Sequence, residues 1–550
     1  MVEKRIIMDE PGLKRLRADF PILSSRVGRL PLTYFDNGAT TQKPRIVIDS
    51  LSHYYRKQNA NVHRAVHELA TAATRAYEEA RQTVARWLRV DAREIIWTRG
   101  VTESINLVAQ AFLAPRLAPG DRILLLVSNH HANILPWHQL AQTRGAILDI
   151  VGLTPSGDID LTQYASLLER NPKLVALTHV SNALGTVYPI AEMVQQARQQ
   201  GAWTLVDGAQ ALPHFDVDLR ALDADFYTFS GHKTFGPTGI GVLYGRYALL
   251  ETMPPWQTGG EMIEHVSFDE VKFAPPPLRF EAGTPNISAA IGLASAIDYL
   301  TQRDRKALEL HEQSLLQYAI SRLEGLSGIE LLAAGEHRVA IISCRFDRFQ
   351  VADVAAYLDS QGIAVRAGHH CAQPLHDYLK IDSSLRISLA FYNTKEEIDR
   401  LVEALSVLLE GPELGGDVEP ADGFSALLEA PDWQSRFSAL MALARSLPPE
   451  PASLRQPKWE VFGCATRAWM RLELDSDGRV QLATDAQSSL LRGLLYLISY
   501  RVNNRLITEI EISAIETELQ ELGFESHLSH TRGNAIQRLL EHLRSLLGAC

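Results

Sequence analysis

Lys233 lies in the run Phe229-Ser230-Gly231-His232-Lys233-Thr234-Phe235-Gly236, and Asp207 closes the run Trp203-Thr204-Leu205-Val206-Asp207, 26 residues upstream. A lysine in a small, polar loop can condense with an aldehyde. A carboxylate at the end of an apolar strand can keep a pyridine nitrogen protonated. These are the two groups that pyridoxal phosphate (PLP) asks of a protein: one holds it covalently, the other makes its ring an electron sink. Taken singly, each has an ordinary explanation, a solvated surface lysine and a turn aspartate.

Other residues extend the pairing. Arg99-Gly100-Val101-Thr102-Glu103 follows an apolar run and opens a helical one, so backbone N–H groups and the Thr102 hydroxyl can hold a phosphate, or simply cap a helix. His130, in Asn129-His130-His131-Ala132-Asn133, is a flat side chain suited to stack on a ring, and Asn182, in Ser181-Asn182, can bond a substrate carboxylate or the cofactor's phenolic oxygen. Arg386, in Ser384-Leu385-Arg386-Ile387-Ser388, carries the planar fork that suits an α-carboxylate, or a surface ion pair.

Four cysteines occur, Cys344, Cys371, Cys464 and Cys550, with no Cys-x-x-Cys pair. Cys371 lies in Arg366-Ala367-Gly368-His369-His370-Cys371-Ala372-Gln373-Pro374, a polar loop that suits a mobile nucleophilic thiol. A metal held by His369, His370, Cys371 and His376 is the competing reading. Consecutive residues rarely aim at one ion and the usual zinc spacings are absent, so no metal is expected. Cys464 follows a glycine in Gly463-Cys464-Ala465-Thr466 and reads as a second loop thiol, Cys344 as a core residue of an apolar strand, and Cys550 as incidental.

The elements that must position these residues form an α/β pattern. Between residues 90 and 245, short apolar runs at Glu94–Thr98, Arg122–Val127, Leu174–Thr178 and Trp203–Asp207 alternate with helical segments such as Ile190–Gln199. This predicts a largely parallel sheet with ligands beyond the carboxyl ends of its strands, where Asp207 and the 99–102 turn fall. Residues 305–410 predict a smaller α+β domain: a helix over 306–323, a strand at 339–344, a helix over 351–361, strands near Ile363 and Leu385, and a helix over 395–409. Gly411–Gly423 is rich in Gly, Pro and acidic residues and reads as a linker. Residues 424–550 read as a separate unit, helical, then β-like at Met470–Leu474, then helical.

Length and composition set the frame. A chain of 550 residues calls for two to four domains, and 46% hydrophobic with 22% charged residues describes a globular protein. A net charge of −11 without a basic stripe argues against nucleic acid. No apolar run is long enough to span a membrane, and Met1–Glu10 lacks a signal-peptide core, so a cytoplasmic protein without a membrane partner is expected.

Together these segments resemble the group II cysteine desulfurases of the SufS/CsdA kind, PLP enzymes of the aspartate aminotransferase fold type. The resemblance covers roughly residues 10–410. It rests on Tyr34–Thr41, Asn61-Val62-His63-Arg64, His130–Asn133, Ser181-Asn182, Asp207–Gln210, Ser230–Lys233, Ala282-Gly283-Thr284-Pro285-Asn286 and Arg366–Pro374. It implies a large domain over about 35–300 and a small domain from the N-terminal segment and about 301–410. It further implies that Lys233 bonds PLP, His130 stacks on the ring, Asp207 pairs with its nitrogen and Gln210 meets its phenolic oxygen. Thr102, Ser230 and His232 then hold the phosphate, with Thr284 reaching in from a partner subunit of a homodimer. Arg386 and Asn182, with His63 and Arg366, take the substrate, and Cys371 takes its sulfur. Val101 stands where many relatives carry a second threonine; a backbone N–H survives there, so weaker phosphate affinity at most is expected.

Residues 424–550 resemble the SufE/CsdE sulfur acceptors through Gly463-Cys464 with Trp469, Leu491–Leu495, and Leu522-Gly523-Phe524 with Leu528–Asn534. By that resemblance Cys464 is the acceptor thiol and Arg532 lies near it. The implied function is conversion of L-cysteine to L-alanine, with persulfide on Cys371 passed to Cys464 and on to an acceptor such as an iron–sulfur scaffold. The 13 residues from Gly411 to Gly423 reach at most ~45 Å when extended and would give an effective concentration of order mM if they span the sites. Selenocysteine lyase or another PLP reaction on the same scaffold, and a non-catalytic docking or regulatory role for residues 424–550, are the alternatives. Plain transamination needs no thiol, so Cys371 argues against it.

Overall fold

The structure is a computed structural model. It describes residues 10–63, 66–410, scattered positions between 427 and 447, 453–462, 467–522 and 530–548. The Gly411–Gly423 linker, Cys464 and Cys550 lie outside the described residues, as does the side chain of Arg532. The chain divides into two compact units: Met1–Leu323 with Leu331–Cys344 and Gly368–Ile398, and Glu324–Glu330 with Arg345–Ala367 and Asp399–Cys550.

The first unit is built on a seven-stranded sheet. Its strands are β1 (Ile95–Thr98), β2 (Arg122–Leu126), β3 (Ile147–Val151), β4 (Leu174–Thr178), β5 (Trp203–Asp207), β6 (Phe226–Ser230) and β7 (Gly241–Gly245), in the order β1-β7-β6-β5-β4-β2-β3. Every residue of β1, β4, β6 and β7 is buried. This follows from covering both faces of a sheet, and it explains continuous apolar runs in place of alternation. Two apolar clusters cover those faces. One gathers Tyr77, Val84, Trp97, Val206 and Phe229, and the other gathers Phe112, Trp137, Leu205, Phe226 and Leu243.

The sheet is parallel from β3 through β6, and β7 is antiparallel to both its neighbours. β7 starts opposite Thr98 and Ser230, the last residues of β1 and β6. Gly241 is there because nothing larger fits: a Cβ on it would lie 2.4 Å from Gly100 Cα. Strands β3, β6 and β7 are additions to the sequence reading. The helical run expected to open at 99–103 begins at Val101, and the helix expected over 306–323 spans Arg305–Glu324. Strand Ser384–Ser388 pairs antiparallel with Ile341–Phe346, setting Arg386 opposite Ser343 and Leu385 opposite Cys344.

In the second unit, helix Val351–Ser360 clusters with the C-terminal residues. Strands Ala468–Leu474 and Val480–Ala486 form a hairpin, of which only the first was expected, and helix Ser489–Val502 follows it. Asp353 is 1% exposed. Its carboxylate accepts from Ser488 Oγ at 2.6 Å, Ser489 N–H at 2.8 Å and Leu490 N–H at 3.3 Å. Those are donors that the start of a helix leaves open, and a carboxylate suits them in charge as well as geometry.

Candidate active site

The site starts at the carboxyl end of β5. Asp207 is 6% exposed, and its Oδ1 accepts from Ala209 N–H at 3.0 Å. Burial raises this acid above the usual carboxylate range, opposed by the Ala209 N–H and the charge of Lys233. Gly208 has to be glycine, since a Cβ there would lie 2.0 Å from the Tyr227 hydroxyl. That hydroxyl lies 3.0 Å from His179 Nδ1, and burial drops His179 to about 4. The sequence reading missed both His179 and Tyr227.

Lys233 ends the short 3-10 turn Gly231–Lys233 that follows β6. The preceding carbonyl, His232 O, accepts from Lys43 Nζ at 2.8 Å, Thr40 Oγ1 at 3.0 Å, Thr41 N–H at 3.1 Å and Thr41 Oγ1 at 3.2 Å. Four donors on one carbonyl fix the peptide that carries Lys233. Burial lowers the Lys43 amine to about 7. Lys43 also escaped the sequence reading, since its partner lies 189 residues away. The His232 ring is dropped to about 4 by burial and then by the charges of Lys233 and Lys43.

The Val101 N–H donates to Ser230 Oγ at 3.0 Å. That bond ties the end of β6 to the turn after β1. Thr102 and Thr284 are exposed.

His130 and His131 follow β2. The His130 ring accepts from Ala132 N–H at 3.0 Å through Nδ1, which leaves the proton of the neutral ring on Nε2. Burial, with the charges of Lys233, His131 and Arg386, drops His130 to about 3. Gln210 donates through Nε2 to Gly38 O at 2.6 Å. Arg386 is 2% exposed. It donates to Asn182 O at 3.0 Å and pairs with Asp36 at 3.2 Å. Asn182 in turn donates through Nδ2 to His370 O at 2.6 Å, on the residue before the exposed Cys371. Asn182 therefore joins the guanidinium to the thiol loop.

His63 is placed differently. Its Nε2 lies 3.0 Å from Glu78 and its Nδ1 3.8 Å from Glu261, which raises its pKa, chiefly through the Glu78 hydrogen bond. Arg366, in the second unit, is exposed. Among the described residues, no group of three or more His, Cys, Asp or Glu side chains is arranged to hold a metal.

This constellation fits PLP. Asp207 is a buried acid that a pyridinium N–H would satisfy. Asn182 Oδ1 is a buried acceptor with no hydrogen-bond partner among the described residues. The Lys233 and Thr102 turns are joined through Ser230.

Residues 33–401 match the aminotransferase class-V family model, and residues 422–547 match SufE, the Fe-S metabolism associated domain. A probable cysteine desulfurase of Vibrio cholerae is 48% identical over 395 residues, covering 72% of this chain and 98% of its own. A cysteine desulfurase of Yersinia pestis is 47% identical over 395 residues, covering 72% and 97%. The chain belongs to the cysteine desulfurases. The crystal structure of the cysteine desulfurase CsdA from Escherichia coli superposes with a TM-score of 0.68 at 40% identity, covering 72% of this chain and 98% of that one. An apo cysteine desulfurase from Thermococcus onnurineus gives 0.69 at 38% identity, covering 72% and 98%. This desulfurase therefore has the PLP-dependent aminotransferase fold and works with PLP, and a SufE domain follows it in the same chain. No helix among the described residues is long and apolar enough to cross a membrane.

Proposed function

We propose that this desulfurase converts L-cysteine to L-alanine with sulfur captured on Cys371, and that Cys464 of its SufE domain then accepts that sulfur. The observation that supports the reading is Asn182: its carbonyl accepts from Arg386 and its amide holds the carbonyl before Cys371. A carboxylate seated on Arg386 thus comes with a thiol loop anchored by the same residue.

PLP, when bound, supplies the electron sink for charge developing at the substrate Cα. Arg386 and Asn182 orient the substrate carboxylate, and His63 completes the substrate set. Asp207 keeps a proton at the pyridine nitrogen, and neutral His130 stacks on the ring. Gln210 serves the phenolic oxygen; Thr102, Ser230 and His232 serve the phosphate, with Thr284 entering from the partner of a homodimer. The Lys233 amine takes the α-proton. The Cys371 thiolate attacks the substrate sulfur, so that an S–S bond forms as the C–S bond breaks. The electron pair leaves with carbon, which is protonated to give alanine. Cys464 thiolate then attacks the outer sulfur of the Cys371 persulfide, releasing the Cys371 thiolate and carrying the persulfide away. The enzyme acts in the cytoplasm and feeds iron–sulfur or other sulfur biosynthesis.

Intact-protein and peptide mass spectrometry after cysteine turnover tests the relay. In the parent, added sulfur should be found on Cys371 and Cys464; in Cys464→Ser it should remain on Cys371, with one alanine per active site until dithiothreitol is added. Equal turnover of parent and Cys464→Ser without reductant would remove Cys464 from the relay.

A further inference from the structure

The loop that carries Cys371 is held in a costly backbone shape. His370 and Cys371 have φ of 54° and 55°, two consecutive non-glycine residues in the left-handed region. Such residues persist where surrounding bonds over-determine them. Most of the bonds here are accounted for by groups already described or by the loop itself. Asn182 holds His370 O, and the His370 ring lies 3.0 Å from Ser384 Oγ. Ala372 N–H donates to His369 O at 2.8 Å.

Two further bonds converge on one residue to which the proposed reaction gives no role. His131 N–H donates to Cys371 O at 2.7 Å, and His131 Nε2 accepts from Gln373 N–H at 3.1 Å. The backbone and ring of His131 therefore hold the chain at the Cys371 carbonyl and again at the N–H two residues on, while Asn182 holds the carbonyl before Cys371. Burial, and then the charge of His369, lowers the His131 pKa, in keeping with a ring that accepts a hydrogen bond. The residue before it is His130, whose ring lies close enough to Lys233 to feel its charge. Consecutive Cα atoms are about 3.8 Å apart across a trans peptide. One peptide unit thus joins the group beside the cofactor lysine to the group that clamps the thiol.

We propose that His131 is a positioning residue for Cys371, and that the His130–His131 dipeptide sets the distance between the cofactor ring and the attacking sulfur. This rests on the reading of Cys371 as the sulfur-capturing thiol. The backbone half of the clamp survives any substitution except proline. The ring half needs an acceptor at the reach of Nε2, which glutamine can supply and alanine cannot.

The test compares parent, His131→Ala, His131→Gln and Cys371→Ser as PLP-loaded full-length enzymes. The readouts are PLP content, the absorbance change on adding cysteine, and alanine formed in a single turnover. A misplacement of about 1 Å costs up to about 100-fold in rate. His131→Ala is therefore expected to form alanine 10- to 100-fold more slowly while PLP content and the cysteine-induced absorbance change match the parent. His131→Gln is expected to recover to within about threefold of the parent. Single turnover in His131→Ala within twofold of the parent would overturn the proposal, as would a His131→Gln no faster than His131→Ala. A slow His131→Ala that has also lost PLP or the absorbance change would assign His131 to general support of the fold and likewise overturn it. Undiminished alanine formation by Cys371→Ser would instead bring down the reading of Cys371 itself.

Discussion

Cys344 and Cys371 are the same side chain placed under opposite conditions. Cys344 lies on strand Ile341–Phe346, 0% exposed, with its Sγ 3.7 Å from Leu385 O. Burial pushes its thiol up to about 12. It has become a small apolar residue that happens to contain sulfur. Cys371 is exposed, on a loop whose backbone is held left-handed by bonds from two other segments. Cysteine chemistry is decided by exposure and anchoring more than by the residue type. One thiol is shown to solvent on an anchored loop; the other is hidden and paired along a strand.

Substitutions should separate the two cleanly. The largest effect is expected for Cys371→Ser, which should lower alanine formation to below about a thousandth, because a hydroxyl is a poor nucleophile at neutral pH. Its melting temperature should stay near that of the parent, as for other exposed positions. A substantial loss of stability in this variant would blur the contrast between the two cysteines.

Alkylation comes next. At pH 8 about 1 in 10⁴ of the Cys344 thiols is ionised, given a pKa of about 12. Iodoacetamide should modify Cys371 at least about 10³-fold faster than Cys344 in the folded enzyme, followed by peptide mass spectrometry. Comparable rates would show that the Cys344 strand opens readily.

Cys344→Ser should do the reverse of Cys371→Ser. It buries a hydroxyl in an apolar strand and should cost roughly 1–3 kcal/mol in denaturant unfolding. Single-turnover alanine formation should remain within about twofold of the parent.

The smallest effect lies in the pH dependence of stability. The folded Cys344 thiol sits near 12 against an ordinary 9.0. Its contribution is fully present below pH 9 and is lost as pH rises from 9 to about 12, because the unfolded chain releases that proton first. Cys344→Ala should flatten this limb relative to the parent. On the acid side, His130 and His232 sit near 3 and 4 against an ordinary 6.5. Their contribution is present above pH 6.5 and is lost as pH falls towards those values, since the unfolded rings take up protons that the folded rings refuse. Replacing His130 with glutamine should make that acid slope shallower, whereas the Cys344 variants should leave it unchanged.

Much of this arrangement is legible in the sequence, for local reasons. β4 and β5 are uninterrupted apolar runs, and their expected limits coincide with the observed Leu174–Thr178 and Trp203–Asp207. Asp207 stands at the end of β5, where side chains of α/β sheets meet ligands. What was not legible depends on distant partners. β7 contains two glycines in five residues and has little strand character of its own; it is a strand because β1 and β6 flank it. The bond from Val101 N–H to Ser230 spans 129 residues. Gly208 looks like a turn residue until the Tyr227 hydroxyl is seen to occupy the space a side chain would need. Periodicity and spacing report what a segment does by itself, and these residues act through segments that only folding brings close.

Gly241 has no side chain, yet a single methyl group there would reach the turn that holds Thr102. A Cβ at 241 would press on Gly100, and the next residue, Val101, donates to Ser230, three residues before Lys233. The turn after β1 and the turn that carries Lys233 would be pressed apart at the point where the sheet brings them together.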